Sequence, residues 1–401
     1  MASISFKNIF LFLFLSILVT SNQYIGGRYV YIFLGVIILL SVLMMFSRDF
    51  IRLEVRSSRI VFLAGFILLS WLYGIFLGAV RGVPEEYIFT NFAGMPFYFL
   101  VFSFFLIKPD FDDVLKIWLL GFFVQVFLGS LSIYGHVDNI FSNVADELNS
   151  ISDLRSVYSV GFAIAFPVLA LTTYSLVTSV TIPAMGVLGL KSALFLWFLS
   201  LYLLIFPAMS KGFILASFII VASIILSSVC RFMIVGRIPF RLFIISMLCC
   251  AFFSILVYNY FDLIVYTFSE QEGSNSIRSE QAAYIIDEIT FFGAGLGAGL
   301  ESGYIRAENA PYAFELTYLS IVHKLGIFSL PLFLSYGYCY FVSILNLIRF
   351  GDDIKSAFAL GLMGYAIVGS GNPILLGGLG IFFHSLSMYI LASNMHTRKV
   401  G

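Results

Sequence analysis

A polar stretch from Tyr258 to Tyr312 interrupts a chain that is otherwise almost continuously apolar, and it holds the side chains best suited to chemistry on a charged substrate. Arg278 leads them. A guanidinium is a planar fork of donors that can hold two phosphate oxygens at once, so an arginine opening a helix, beside backbone N–H groups without partners, suits a diphosphate. The segment Ser276 to Phe291 sets Ile277, Ala282, Tyr284, Ile285, Ile289 and Phe291 among Arg278, Glu280, Gln281, Asp287 and Glu288. That loosely helical spacing predicts an amphipathic helix at a membrane interface, starting after a Gly273–Ser276 turn and carrying Arg278 in its first turn. A surface contact from Arg278 to Glu280 or Gln281 is the alternative and would contribute little.

Two further groups follow along the chain. Gly293, Gly295 and Gly297, in the run Phe291 to Gly299, permit tight irregular backbone close to a ligand or to an adjacent helix. A dinucleotide reading of these glycines fails because no βαβ unit surrounds them. Pro311 is suited to open a helix, and Glu315, Tyr318 and His323 fall near the start of the apolar run at Gly326. A carboxylate in so apolar a stretch is expensive unless it is paired or reaches water. Glu315 is therefore a stronger functional candidate than the loop-surface acids, with pairing to Arg306 or Lys324 as its structural alternative. His323 is expected to bond locally.

The elements that position these residues follow from composition. The chain is 60% hydrophobic and 11% charged, with a mean hydropathy of +1.01, against roughly 45–50% apolar and about 25% charged in soluble domains. This is the composition of an integral membrane protein. Hydropathy finds twelve candidate spans: Phe6 to Thr20, Tyr29 to Phe46, Ile60 to Val80, Ile88 to Ile107, Ile117 to Tyr134, Val157 to Thr178, Ser192 to Phe206, Phe213 to Val229, Leu242 to Tyr258, Gly326 to Ile348, Ser356 to Ser370 and Leu379 to Leu391. The first is expected to be a retained helix, since Ser21-Asn22-Gln23-Tyr24 is a poor cleavage site.

Placing the N-terminus in the cytoplasm puts 15 of the 22 basic residues on that side, which obeys the positive-inside rule and predicts both termini cytoplasmic. The other face carries Arg28, Arg81, Arg155, Lys211, Arg278, Arg306 and Lys324 against 15 of the 22 acids. So acidic a face does not by itself attract an anionic head group, which makes its few cations individually interesting. Snorkelling at helix ends is the plainer role for each of them. The four cysteines, Cys230, Cys249, Cys250 and Cys339, lie in or beside apolar runs and imply neither a disulfide framework nor a metal site. No internal repeat is visible. A single transmembrane domain, residues 1–401, with a smaller exterior loop at 136–155 and a large one at 259–325 between spans nine and ten, is the economical description. Tyr258, Tyr260, Tyr266, Tyr304 and Tyr312 could stack on sugars, although tyrosine enrichment at membrane interfaces explains them equally well.

An exterior arginine opening a helix, then Phe292-Gly293-Ala294-Gly295-Leu296-Gly297, then Tyr312-x-x-Glu315-x-x-Tyr318-Leu319 leading to Lys324-x-Gly326-Ile327 and another span, resembles the Wzy-type polysaccharide (O-antigen) polymerases of the bacterial envelope. The likeness extends over the twelve-span plan and both loops through loose motifs. Arg278 resembles the arginine of the family's large loop, and Arg155 that of its smaller loop. Ser210-Lys211-Gly212 resembles a Ser-Arg-Gly stretch of the superfamily, with lysine in place of arginine. The family's arginine-plus-ten-residues-plus-glycine pattern is not met, since Ile289 and Phe166 stand at the glycine positions, and the roles of both arginines stay open. The related O-antigen ligases share the architecture, but their large loop offers a histidine where this chain has Asn309 to Tyr312 and then Glu315.

The resemblance implies an all-α polytopic fold of the membrane glycosyltransferase (GT-C-like) type in the bacterial cytoplasmic (inner) membrane. It implies polymerisation of undecaprenyl-diphosphate-linked repeat units by glycosyl transfer on the periplasmic side. Donor and acceptor would both be undecaprenyl-diphosphate-linked glycans, with membrane lipids, a chain-length regulator and a flippase as further partners and no nucleic acid. Arg155, Arg278, Lys211 and Arg306 would neutralise the departing diphosphate. Glu315 is the first choice of base for the acceptor hydroxyl, with Asp287 and Glu288 behind it. Tyr312, Tyr318, Gly293, Gly295 and Gly297 would line the substrate. No metal or other cofactor is expected. A polysaccharide flippase or other twelve-helix transporter is the alternative from another class, less favoured because the charges fall largely at span ends.

Overall fold

The computed structural model describes residues 6–20, 28–45, 58–134, 161–180, 190–205, 210–236, 273–305, 310–350, 353–369 and 375–397, with isolated positions between 244 and 258. Among the described residues the protein is all-helical. The helices are α1 (Phe6–Thr20), α2 (Arg28–Met45), α3 (Ser58–Val80), α4 (Glu85–Thr90), α5 (Phe99–Ile107), α6 (Phe111–Tyr134), α7 (Ala165–Thr178) and α8 (Leu190–Ile205). There follow α9 (Lys211–Val235), α10 (Gly273–Asp287), α11 (Thr317–Leu325), α12 (Leu330–Arg349), α13 (Ile354–Leu362), α14 (Gly364–Val368) and α15 (Gly378–Thr397). Four stretches among the described residues are long and apolar enough to cross a membrane: Arg59–Val80, Glu85–Ile107, Lys211–Val235 and Thr317–Arg349. Six shorter apolar helices accompany them.

Large rings fill the interior. Trp118 of α6 packs against Phe14, Phe358 and Phe383 and donates its indole N–H to the Ile164 carbonyl at 2.9 Å. α1 and α6 run parallel, because Lys7 meets Asp113 at 2.8 Å at one end and Gln125 Nε2 donates to the Leu18 carbonyl at 2.9 Å further along. At the Lys7 end the Asp113 carboxyl is held below the usual range by the lysine's hydrogen bond and charge. α3 buries Ile60, Ala64, Ile67 and Leu68 and turns Phe62, Phe66, Leu69, Leu72 and Phe76 outward. A helix that is apolar all round and buries one stripe is built to face hydrocarbon with the other.

Several elements differ from the sequence-based expectation. The span expected over Ile88 to Ile107 is interrupted: α4 ends at Thr90, Phe92 takes a left-handed φ of 53°, and a 3-10 turn at Met95–Tyr98 precedes α5. The span expected from Gly326 starts earlier, as α11. Gly326, at φ 54° and ψ −132°, then breaks it from α12. The Ser356 to Ser370 span divides into α13 and α14, and the last helix runs on to Thr397. In the large loop the helix begins at Gly273, within the expected turn, and ends at Asp287 rather than Phe291. Arg278 therefore lies in the second turn, away from the unpaired N–H groups that open the helix. Pro311 opens no helix; α11 starts at Thr317, so Glu315 lies in the segment approaching it. Span nine at Leu242 to Tyr258, the loop at 136–155 and residues 259–272 lie outside the described residues or nearly so.

Candidate active site

α10 sets Arg278, Gln281 and Ile285 on one face, at the three- and four-residue spacing that aligns side chains along a helix. Ile285 anchors this face in a small core with Leu300 and Phe314, flanked by Ile289, Tyr304 and Leu319. That core fixes α10 against the segment leading into α11. The result is an ion pair between residues 37 positions apart: Arg278 Nε donates to Glu315 Oε2 at 3.0 Å, with the two side chains 29% and 22% exposed. Glu315 thus pairs with Arg278, not with Lys324, and Arg278 reaches past Glu280 and Gln281. Both side chains are part-exposed, so the pair is neither a loose surface contact nor a sealed buried bridge.

Gln281, one turn along the same face, holds the pair in register. Its Oε1 accepts the backbone N–H of Glu315 at 3.0 Å and of Leu316 at 3.2 Å. The side chain is fully buried, and its Nε2 finds no partner among the described residues. Sequence reasoning missed Gln281, although its place between Arg278 and the core residue Ile285 was the available signal.

Beneath this layer lies Lys324, whose side chain is fully buried and donates from Nζ to the Tyr312 carbonyl. Its nitrogen lies 4.9 Å from the centroid of Phe314, 5.5 Å from Tyr312 and 5.7 Å from Phe92. The nitrogen is thus enclosed by one carbonyl and three rings. Tyr312 continues outward, accepting the Thr90 hydroxyl at 2.7 Å and packing on Tyr87 at 5.2 Å. Tyr318 donates to the Ala366 carbonyl at 2.6 Å. Lys211 lies in the first turn of α9, and the adjacent Gly212 lies against Val368 of α14. The buried His323 finds no partner for Nδ1 among the described residues, so the expected local bond is not seen there.

The glycine run serves the backbone. Gly293, Gly295 and Gly297 have φ values of 81°, 92° and 78°, which side-chain-bearing residues rarely adopt. A Cβ on Gly293 would meet the Lys324 carbonyl oxygen at 2.5 Å, one on Gly295 would strike the Gly78 backbone, and one on Gly297 would meet Ile88 N at 2.7 Å. The run is wedged between α3, α4 and the α11–α12 break, and its observed neighbours are protein backbone. Of the expected cations, Arg155 and Arg306 lie outside the described residues. Asp287 is exposed at the end of α10. Glu288 accepts the backbone N–H groups of Glu301 at 2.7 Å and Ser302 at 2.9 Å. Partial burial raises the Glu288 carboxyl, but these donations outweigh it and hold it below the ordinary value. No grouping of three or more potential metal ligands occurs among the described residues. No protein-family model and no curated protein matches the chain.

Proposed function

We propose that the chain is a membrane glycosyltransferase that polymerises undecaprenyl-diphosphate-linked repeat units, built on a GT-C-like bundle in the bacterial inner membrane. The observation that carries this reading is the part-exposed Arg278–Glu315 pair, a cation for a diphosphate and a carboxylate for a hydroxyl proton held 3.0 Å apart. In the reaction the acceptor hydroxyl oxygen bonds to the donor's anomeric carbon, the carbon–oxygen bond to the diphosphate breaks, and undecaprenyl diphosphate leaves. The hydroxyl proton passes to Glu315. Resting, the pair occupies both groups. A diphosphate oxygen arriving at Arg278 competes with Glu315 for the guanidinium, so substrate entry itself releases the carboxylate as base.

The sidedness needed for periplasmic chemistry is supported by what clusters at each end. Lys7, Asp110 and Asp113 meet at one end, where Tyr389 of the last helix donates to the Pro109 carbonyl at 3.3 Å. On this proposal the end that gathers the first turn of α1, the start of α6 and Tyr389 of α15 faces the cytoplasm, as the distribution of basic residues along the sequence favours. The glycine run beside the site packs on the close of α3 and on α4, where Gly297 N donates to Asn91 Oδ1 at 3.3 Å, and on this proposal that region faces the periplasm.

One observation favours a second reading. The break at Gly326 and the interruption between α4 and α5 are discontinuous helices of the kind transporters use. Chain length on the lipid-linked glycan of a deletion strain separates the two. Single repeat units outside the membrane are expected for a lost polymerase, and absence of exterior units would assign transport instead.

A further inference from the structure

The twelve residues between Glu288 and Glu301 carry no charge, and this stretch is closed at its neck where the Glu288 carboxylate accepts the N–H groups of Glu301 and Ser302. Beyond the neck the backbone runs along α3 inward from its end. Tyr73 donates its hydroxyl to the Phe292 carbonyl at 2.9 Å, and Leu296 N donates to the Gly74 carbonyl at 2.9 Å. Tyr73 is seven residues before Val80, the last residue of α3, which is about 10 Å along a helix rising about 1.5 Å per residue. Side chains on a helix lean toward its N-terminus, so the Tyr73 hydroxyl lies deeper still.

Irregular backbone at that depth is tolerated only where protein satisfies its polar groups. Here it does. Gly293 N donates to Thr290 O, Ala294 N to His323 O, Gly295 N to Lys324 O, Gly297 N to Asn91 Oδ1, and Phe291 O accepts from Ile327 N. The side chains do the opposite. Phe291 and Phe292 are 67% and 59% exposed and touch each other edge to face at 5.1 Å. They continue the outward apolar surface formed by Leu72 and Phe76 of α3 with Phe328, Leu330 and Leu334 beside and within α12.

We propose that residues 289–300 form a re-entrant loop whose tip, Phe291 and Phe292, is embedded in the membrane, with the hydrocarbon chains of lipid as its partner. A polar neck at the interface, a backbone whose donors from Gly293 to Ala298 are satisfied by protein and an uncharged aromatic tip lying against a lipid-facing helix together fit hydrocarbon and not water. The loop is anchored to the same lysine and glycine break that floor the Arg278–Glu315 site, so it sets the depth of that site relative to the lipid.

The test is independent of catalysis. In a chain with its four cysteines replaced and reconstituted in bilayers, nitroxides at F292C, F76C and S302C are compared for collision with oxygen and with a water-soluble nickel chelate. At Phe292 oxygen contact is expected to exceed nickel contact as it does at Phe76, with the reverse at Ser302. Nickel contact at Phe292 matching Ser302 would overturn the proposal, and so would exclusion of both reagents, which would mean that protein covers the tip. Should the cysteine-free chain not fold, benzoylphenylalanine at position 291 in the native chain serves instead. Photo-crosslinks to lipid chains support the proposal, and their absence alongside efficient lipid crosslinking from position 76 refutes it.

Discussion

Replacing Glu315 by glutamine separates its two roles, because the isostere keeps size and hydrogen-bonding capacity and removes only the charge. At 3.0 Å and an effective dielectric constant of about 20, the attraction of Arg278 for Glu315 is about 5 kcal/mol before desolvation. Desolvation offsets much of it for side chains 29% and 22% exposed, leaving a net coupling of about 1–2 kcal/mol, between exposed and buried pairs. A general base contributes about 10²- to 10⁴-fold, or about 3–5 kcal/mol of barrier. Turnover on lipid-linked repeat units in nanodiscs is therefore expected to fall by at least about a hundredfold in Glu315→Gln, with a modest drop in melting temperature and with substrate binding tightened by about 5- to 30-fold, because the diphosphate no longer displaces Glu315 from Arg278. The double variant Glu315→Gln/Arg278→Gln is expected to regain stability and not turnover. Turnover within about threefold of the native enzyme, or its return in the double variant, would refute the base assignment and leave the pair as a structural ion pair.

Other substitutions probe the frame. Gln281→Leu strands two part-buried N–H donors at up to about 1–3 kcal/mol each, whereas Gln281→Glu keeps the oxygen that accepts from both and is expected to lose less; thermal denaturation of the two compares them directly. Gly295→Ala forces a Cβ into the Gly78 backbone at φ 92° and is expected to abolish folded protein, while Gly303→Ala, at φ 77° with nothing within 4 Å, is expected to cost only about 1–2 kcal/mol; yields by size-exclusion chromatography decide. Because the folded Glu288 carboxyl is held below its ordinary value of 4.5, its stabilisation is complete above that pH and is lost as pH falls through the lower folded value. Melting temperature measured from neutral pH down to pH 3 is thus expected to fall less steeply in Glu288→Gln, and parallel curves would contradict the neck contact. Arg278→Lys is expected to restore only part of the activity lost in Arg278→Ala, read as polymer formed at equal protein abundance, because an ammonium lacks the fork.

How far the sequence reached depends on the range of the interaction. α3 was legible because an unbroken apolar run of helix length has few other fates in a membrane protein. The breaks at Gly326 and between α4 and α5 were not, because hydropathy averages over a window and does not register one glycine or one left-handed phenylalanine. Alternate glycines announced tight backbone; which backbone they abut, that of Gly78 and Ile88, is a tertiary fact. Arg278 and Glu315 were each picked out by type and setting. Their pairing was not foreseen, because Lys324 is a basic residue much nearer in sequence, and only the Ile285–Leu300–Phe314 core brings α10 across. Gln281 reads as one more polar residue of an amphipathic helix until its burial is known.

The most direct test of polymerisation is reconstitution of the purified protein with synthetic undecaprenyl-diphosphate-linked repeat units, following glycan length and released undecaprenyl diphosphate together. The expected result is a ladder of lengthening glycans with one undecaprenyl diphosphate released per linkage, lost in Arg278→Ala. Movement of intact repeat units across the bilayer with no new linkage and no released diphosphate would contradict it.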